Sequence, residues 1–176
     1  MDVLMVGSVA YDSVSSPVGM VQDALGGSAV YAGIASRFHG NYLQLDQIGL
    51  VGVVGQDFKQ SDIDMLESLG LDLDGLEIAD GKTFRWEGSY EGDMGIAQTH
   101  DTQLNVFADF DPKVPTHSNE PKILFCANMI PTLQMKVIEQ AKSTRLSMLD
   151  SMNLWIEIAR DDLLSVMKRV DLIIIN

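Results

Sequence analysis

The sequence predicts a layered α/β fold built on a mostly parallel sheet, and two observations support this. Short apolar segments alternate with segments of helical periodicity along most of the chain. Hydrophobic residues make up 46% of the 176 residues, which is enough for one packed core. Residues 83–107 interrupt the alternation, because their aromatic and β-branched residues follow no helical period and predict additional strands.

The strands of the main sheet are predicted from short, almost purely apolar runs. Such runs are typical of parallel strands that helices cover on both faces. The predicted strands are 2–6, 48–54, 123–127, 146–149 and 171–175.

The helices are predicted between these strands, where apolar residues recur every three or four positions. The first follows Gly26 and Gly27, with Ser28 placed to cap it. Pro131 occupies the favoured first turn of another helix. Two more helices are predicted at 61–69 and 161–170, so we expect helices on both sides of the sheet.

The interrupting region predicts a β-flap inserted into a single α/β domain of residues 1–176. Residues 83–90 and 103–107 are expected to pair as an antiparallel hairpin, because both are rich in strand-forming residues. The connection between them, 91–102, is polar and contains glycine.

The charge of the chain argues against two classes of partner. The net charge is -13, from 25 acidic and 12 basic residues, and such a surface repels nucleic acid backbones and anionic membranes. The first residues show no signal-peptide pattern. Cys126 is the single cysteine, so no disulfide can form within the chain, and we expect a cytoplasmic location.

Two common site patterns are not supported. Gly75 and Gly81-Lys82-Thr83 resemble a phosphate-binding loop, but five residues separate the glycines where the motif needs four, and a strand follows instead of a helix. The histidines are scattered without a second ligand at metal-binding spacing, so no metal ligands are predicted among them; they are His39, His100 and His117.

Four motifs occur in one order along the chain. They are the segment 6–8 followed by Asp12, the glycine-rich segment 25–31 (LGGSAVY), the segment 51–58 (VGVVGQDF) and the final segment 170–176 (VDLIIIN). Together they resemble the N-terminal portion of PfkB-type, ribokinase-like carbohydrate kinases. The resemblance implies a three-layer α/β/α fold with an inserted β-lid.

The resemblance also implies a substrate site. In this family an acidic residue beyond the first strand, here Asp12, binds sugar hydroxyls, since a carboxylate accepts two hydroxyl hydrogen bonds at once. Gly26 and Gly27 match the glycines that let substrate approach the backbone. The other candidate substrate-binding residues are Ser28, Tyr31, Arg85 and Asn128. Asn176 matches an asparagine that lies near the metal and phosphates.

The lid implied by the resemblance comprises segments near 11–25 and 83–107. Closing such a lid excludes water from the reacting groups. Arg85, Trp86 and Tyr90 are placed to contact substrate, or equally to pack the lid or a dimer interface. A homodimer through the lid is therefore one expected assembly.

Several family elements do not occur in the sequence. The G-A-G-D motif that supplies the catalytic aspartate is absent, so no catalytic residue is assigned, and the main site for ATP with Mg²⁺ is expected beyond the chain end. We expect the N-terminal portion of an ATP-dependent kinase that phosphorylates a hydroxyl of a sugar or nucleoside, inactive by itself. Two alternatives stay open: a non-catalytic sugar- or nucleoside-binding regulatory protein, and an interaction module that pairs through the flap.

Overall fold

The computed structural model describes residues 1–92 and 94–175, and it has the predicted α/β architecture. The strands are β1 (Val3–Val6), β2 (Ala10–Ser16), β3 (Gly19–Gly26), β4 (Ile48–Gly55), β5 (Leu71–Ala79), β6 (Phe84–Tyr90), β7 (Ala97–Gln103), β8 (Ile123–Cys126), β9 (Leu146–Asp150) and β10 (Leu172–Ile174). The helices are α1 (Ser28–Leu43), α2 (Gln60–Ser68), α3 (Pro131–Gln140), α4 (Asn153–Ile158) and α5 (Arg160–Met167). Two short 3-10 helices span Asn105–Asp109 and Thr116–Ser118.

Six parallel strands form the main sheet, in the order β10-β9-β8-β1-β4-β5. Helices α1 and α2 pack on one face, where Val30 and Leu66 join the core residues around Met5. Helices α3 and α5 pack on the other face, where Val137 and Leu163 contact the second core cluster. The three-layer fold class is thus confirmed, and the carboxyl ends of all six strands lie at one edge of the sheet.

A second, four-stranded sheet is inserted into this fold, and we call it the small sheet. Its order is β3-β2-β6-β7, with β2 antiparallel to β3 and parallel to β6. The two hairpins come from separate parts of the chain, one after β1 and one after β5. The resemblance implied β-lid segments near 11–25 and 83–107, and strands from these two parts of the chain pair in the structure.

The predicted strand at 103–107 is wrong. The partner of β6 is the preceding segment, β7, and Asn105–Asp109 is a 3-10 helix. The aromatic content of the segment reflects core packing, since the Phe107 ring stacks between Phe84 at 5.4 Å and Phe110 at 5.7 Å. By contrast, β7 is exposed along its length and polar, so only its pairing with β6 makes it a strand.

Strand β10 forms one edge of the main sheet and is partly uncovered. Its residues Leu172 and Ile174 are 43% and 50% exposed. The sequence predicted a strand here with the composition of a buried central strand, and the structure leaves it with one neighbour, β9. An apolar edge strand is consequently exposed at this side of the protein.

Two smaller features bear on the expectations above. None of the helices in residues 1–92 and 94–175 is both long and apolar enough to cross a membrane. Cys126 is a buried free thiol at the end of β8, and burial raises its pKa to about 12. Such a thiol is a core residue with little thiolate character.

Candidate substrate site

The carboxyl end of β1 is packed closely against the first turn of α1. Gly27 is the N-cap of α1 with a φ of 97°, and a side chain there would overlap the Ser8 carbonyl. That carbonyl accepts the Ala29 N–H at 3.1 Å, and the Ser8 hydroxyl accepts the Ser28 N–H at 3.0 Å. Glycine at position 27 therefore permits this backbone contact. Ser28 does not cap the helix as predicted, because its hydroxyl donates to the Asn128 carbonyl at 3.3 Å.

Asp12 on β2 lies beside this turn. Its carboxylate accepts the Gly27 backbone N–H and, at 3.5 Å, the Tyr31 hydroxyl. A side chain at Gly26 would overlap the same carboxylate. Burial raises the pKa of Asp12, while these two hydrogen bonds lower it in part. A carboxylate has about four acceptor positions, so it retains capacity for ligand hydroxyl groups.

Asn128 is brought to the same edge, in the turn that follows β8. Its carbonyl accepts the Ser28 hydroxyl, which connects it to the start of α1. Its side-chain oxygen accepts the Trp155 Nε1–H at 2.8 Å, and its amide nitrogen lies 3.1 Å from Met152 Sδ. The amide is therefore held in one orientation by residues at the start of α4. Asp12, Gly26, Gly27, Ser28, Tyr31 and Asn128 thus form one connected group.

Arg85 is not brought to this group. In the register of β2 with β6, Tyr11 pairs with Arg85 and Asp12 pairs with Trp86. Because successive side chains of a strand point to opposite faces, Arg85 and Asp12 lie on opposite faces of the small sheet. The predicted contact between Arg85 and substrate therefore has no support in this arrangement.

Arg85 instead belongs to an ion-pair network that the sequence reasoning missed. Asp57, just after β4, accepts hydrogen bonds from the Thr83 N–H at 2.7 Å and the Thr83 hydroxyl at 2.8 Å. It also accepts a hydrogen bond from one nitrogen of the Arg85 guanidinium at 2.8 Å, while a second nitrogen of that guanidinium contacts Asp23. Burial raises the pKa of Asp57, but these hydrogen bonds outweigh it and lower the pKa below its usual value. Asp57 was visible in the motif 51–58, yet its partners lie 26 and 28 residues away.

The face of the small sheet that carries Asp12 also carries aromatic side chains. The Trp86 ring lies over Gly88, where a side chain would overlap it, and its Nε1–H donates to the Thr99 hydroxyl at 3.1 Å. Partial burial raises the pKa of Tyr31, and the nearby Asp12 and Tyr90 add to the shift. Tyr31 therefore lies beside the Asp12 carboxylate, whereas the Trp86 ring packs on its own sheet.

Asp150, another residue the sequence reasoning missed, is the last residue of β9 at the carboxyl edge of the main sheet. Its Oδ1 is buried and has no hydrogen-bond partner among residues 1–92 and 94–175. Burial raises its pKa to about 6. The signal that would have found it is its position, since sites in parallel sheets are built where strands end.

Two further expectations concern metal and phosphates. Asn176 lies outside the described residues, so its predicted position near the metal is not addressed. Asp72, Asp74 and His117 come together, with His117 Nε2 3.1 Å from Asp72 and 3.7 Å from Asp74. This cluster includes the start of β5, so it lies at the amino ends of the main-sheet strands, whereas Asp12 lies at their carboxyl ends. It is therefore separate from the candidate substrate site.

Comparison with known proteins relates the chain to solved kinases. No family model matches the sequence, and no curated protein matches it significantly. The nucleoside kinase of Methanocaldococcus jannaschii, an archaeal member of the ribokinase family, matches 99% of this chain with a TM-score of 0.75 and 17% identity. The ribokinase of Cryptococcus neoformans, solved with ADP, matches 87% with a TM-score of 0.65 and 20% identity. The nucleoside kinase of Burkholderia thailandensis, solved with inosine, matches 98% with a TM-score of 0.63 and 14% identity.

The lengths of these proteins differ from that of the chain. It spans 60% of the Methanocaldococcus kinase, 50% of the Cryptococcus ribokinase and 69% of the Burkholderia kinase. The matches agree with the three-layer architecture. The fold of this chain is therefore the ribokinase-like fold, that of PfkB-type sugar and nucleoside kinases, over part of their length.

Proposed function

We propose that this chain is the substrate-binding portion of an ATP-dependent kinase that phosphorylates a hydroxyl of a sugar or nucleoside. The observation that carries the proposal is the Asp12 carboxylate, which accepts the Gly27 N–H and occupies the space beside Gly26. The solved proteins of similar fold are named as nucleoside kinases and a ribokinase, and one was solved with inosine.

In this proposal the residues of the chain bind and orient the acceptor. Asp12 accepts hydrogen bonds from ligand hydroxyls, and a charged acceptor makes these bonds stronger than neutral ones. Gly26 leaves room for the Asp12 carboxylate and Gly27 leaves room for the Ser8 carbonyl, so both glycines allow the close packing around Asp12. Tyr31 on α1 donates its hydroxyl to the Asp12 carboxylate at 3.5 Å and so helps to orient it. The small sheet acts as the lid and excludes water from the bound ligand.

ATP and Mg²⁺ enter the proposal through the resemblance and through the ribokinase solved with ADP. The described residues do not form a phosphate site at the segment that resembled one. Gly81-Lys82-Thr83 leads into strand β6, so no helix N-terminus is present there to bind phosphate. In this proposal, the groups that bind nucleotide and metal belong to the part of the kinase fold that the chain does not span.

The absence of G-A-G-D from the sequence keeps the non-catalytic alternative open. A regulatory protein that binds a sugar or nucleoside would use the same Asp12 site without transferring phosphate. Binding experiments therefore test the feature that both proteins share. A cytoplasmic location stays a prediction for either protein.

The test of the binding site is calorimetric titration of the chain with ribose, fructose, adenosine and inosine. We expect one of them to bind, and Asp12→Ala to weaken that binding by roughly 2 to 4 kcal/mol, because a charged hydrogen-bond partner is lost. Asp64→Ala is a matched control, since Asp64 contacts Gln60 on the exposed surface of α2. Unchanged affinity in Asp12→Ala would remove Asp12 from the site.

We also propose that the small sheet mediates homodimer formation. Large apolar side chains on and beside its edge strands are exposed, including Met20 at 72% and Ile96 at 81%. Exposed edges of this kind favour pairing with another chain. Light scattering of Met20→Lys and Ile96→Lys variants tests it, and a mass unchanged from that of the original chain would contradict it.

A further inference from the structure

We propose that Arg85 is a positioning residue, which together with Asp57 sets the orientation of the small sheet and so the direction of Asp12. This inference deepens the proposed function, on which its ligand arm rests. It assigns to Arg85 an indirect role in place of the contact with substrate expected from the sequence.

The end of β4 is in close contact with the start of β6. Gly55 has no room for a side chain against the backbone of residues 81–83. Its N–H donates to the Thr83 hydroxyl at 3.0 Å, and Thr83 is fully buried. Asp57 then accepts both the hydroxyl and the backbone N–H of Thr83. The small sheet is thereby attached to the main sheet at one buried point.

Arg85 extends this attachment across the small sheet. Its guanidinium binds Asp57 on the main-sheet side and Asp23 on β3. It also lies 5.3 Å from the centroid of the Tyr11 ring, within the range of a cation–π contact. Arg85 therefore contacts a residue on each of two neighbouring strands, β2 and β3, while belonging to β6. No substitute with a single nitrogen reproduces these contacts, because the guanidinium offers a planar fork of donors.

Tyr11 in turn is hydrogen-bonded to the start of α2 and to the residue before it. Tyr11 is 1% exposed, its hydroxyl donates to Asp62 at 2.6 Å, and it accepts the Lys59 N–H at 2.9 Å. These partners belong to the start of α2 and the residue before it. Tyr11 is thus fixed from both sides, by Arg85 and by α2.

The fixed position of Tyr11 affects Asp12 in the candidate substrate site. Asp12 follows Tyr11 directly, and its side chain points to the opposite face of the same strand. Because the backbone of β2 is fixed at Tyr11, the side chain of the next residue, Asp12, keeps one direction on the opposite face of the small sheet. Loss of Arg85 would free β2 and β6 to shift, and Asp12 would leave its contacts with Gly27 and Tyr31.

The two carboxylates that bind Arg85 are not equivalent. Asp57 is 28% exposed and is held by Thr83, whereas Asp23 is 53% exposed and has a left-handed φ of 47°. Exposed ion pairs contribute little and are weakened by salt. The ion pair of Arg85 with Asp57 is therefore the stronger of the two, and the ion pair with Asp23 is the weaker.

The experiment compares Arg85→Ala, Arg85→Lys, Asp57→Asn and Asp23→Asn in the 176-residue chain. Hydrogen exchange of the backbone amides of β2 and β6 reports sheet order without ligand. Calorimetry with ribose, fructose, adenosine and inosine reports binding. We expect Arg85→Ala and Asp57→Asn to speed exchange in both strands and to weaken binding by about tenfold or more each, with β1 and β8 unchanged. Asp23→Asn is expected to have a much smaller effect, and Arg85→Lys to restore only part of the protection.

The outcomes separate this inference from the proposed function. If Arg85→Ala weakens binding and leaves exchange unchanged, Arg85 contacts the ligand and the inference is overturned. Unchanged exchange and unchanged binding overturn it as well. If the original chain binds none of the four ligands, the proposed function fails, and faster exchange in β2 and β6 alone then supports the positioning role. Should Arg85→Ala fail to fold, Arg85→Lys and Asp57→Asn provide the same comparison.

Discussion

The Asp12 carboxylate occupies the space into which a side chain at Gly26 would project. The two residues lie on neighbouring antiparallel strands, β2 and β3, two positions apart in register. Glycine at position 26 therefore leaves room for the Asp12 carboxylate. This contact gives a direct test of the candidate substrate site.

We expect Gly26→Ala to displace the Asp12 carboxylate and to weaken ligand binding by roughly 1 to 3 kcal/mol, since the charged acceptor loses its orientation. Calorimetry with the sugar and nucleoside panel measures the change. Gly33→Ala in α1 is the control, because a methyl group there meets Leu71 at an ordinary 3.5 Å. Alanine should raise helix stability by up to about 1 kcal/mol. Tight binding by Gly26→Ala would show that the ligand does not depend on Asp12.

A second prediction concerns Trp86 and the small sheet as a lid. The sequence has two tryptophans, so Trp155→Phe leaves Trp86 as the single indole reporter. We expect its fluorescence to change on addition of a bound sugar or nucleoside, because closure alters the surroundings of the ring. Gly88→Ala should shift the emission even without ligand, since the added methyl overlaps the ring. An emission spectrum that ignores saturating ligand would assign Trp86 a structural role only.

The third prediction is a pH dependence of stability that comes from Asp150. Its pKa is raised to about 6, compared with about 3.9 for an unfolded aspartate. The native state therefore holds its proton more strongly, and the free energy of unfolding should fall as pH rises from about 4 to about 6. Asp150→Asn removes this loss, so at pH 7.5 we expect the variant to be more stable than the original by roughly 1 to 3 kcal/mol, and about equal at pH 4.

Urea unfolding across pH 4 to 8 measures this difference. Asp171→Asn provides a control of opposite sign. The Ser147 N–H and hydroxyl both donate to Asp171 and lower its pKa, so its ionised form stabilises the native state. Loss of Asp171 should destabilise the protein above pH 4. A flat difference between the original chain and Asp150→Asn would show that Asp150 is not desolvated in solution.

The exposed edge of the main sheet gives a fourth prediction. Leu172 and Ile174 leave β10 as an uncovered apolar edge, and such edges pair with other chains. We expect the 176-residue chain to associate, and Ile174→Lys to reduce its mass in light scattering. Ile158→Lys removes an equally apolar side chain, 68% exposed, from the end of α4, and it should leave the mass unchanged. Equal effects of both variants would point to general hydrophobicity.

The last prediction concerns catalysis. The sequence contains no G-A-G-D motif, and phosphoryl transfer relies on a positioned base and a stabilised anion. We expect the 176-residue chain to release no ADP from ATP with any sugar or nucleoside. Sugar-dependent ADP release would contradict the assignment of the catalytic groups to another part of the fold.

Much of the fold followed from local sequence properties. The apolar runs that became β1, β4, β8 and β9 carry their signal in composition, because a strand covered on both faces must be apolar throughout. Strand β7 carried no such signal, since both of its faces are exposed and its identity comes from pairing with β6. Phe107 in Asn105–Asp109 gave a misleading strand signal, because its ring packs against the core from a 3-10 helix.

For the candidate site, the sequence by itself indicated Asp12 and the glycine pair, through motifs that resemble those of PfkB-type kinases. Tertiary structure alone decided the position of Arg85, because the face on which a strand residue lies depends on the register with its neighbours. It also decided the partners of Asp57 and the desolvation of Asp150. Hydrogen bonds and burial between distant segments arise only when the chain folds, so residue order within either segment does not contain them.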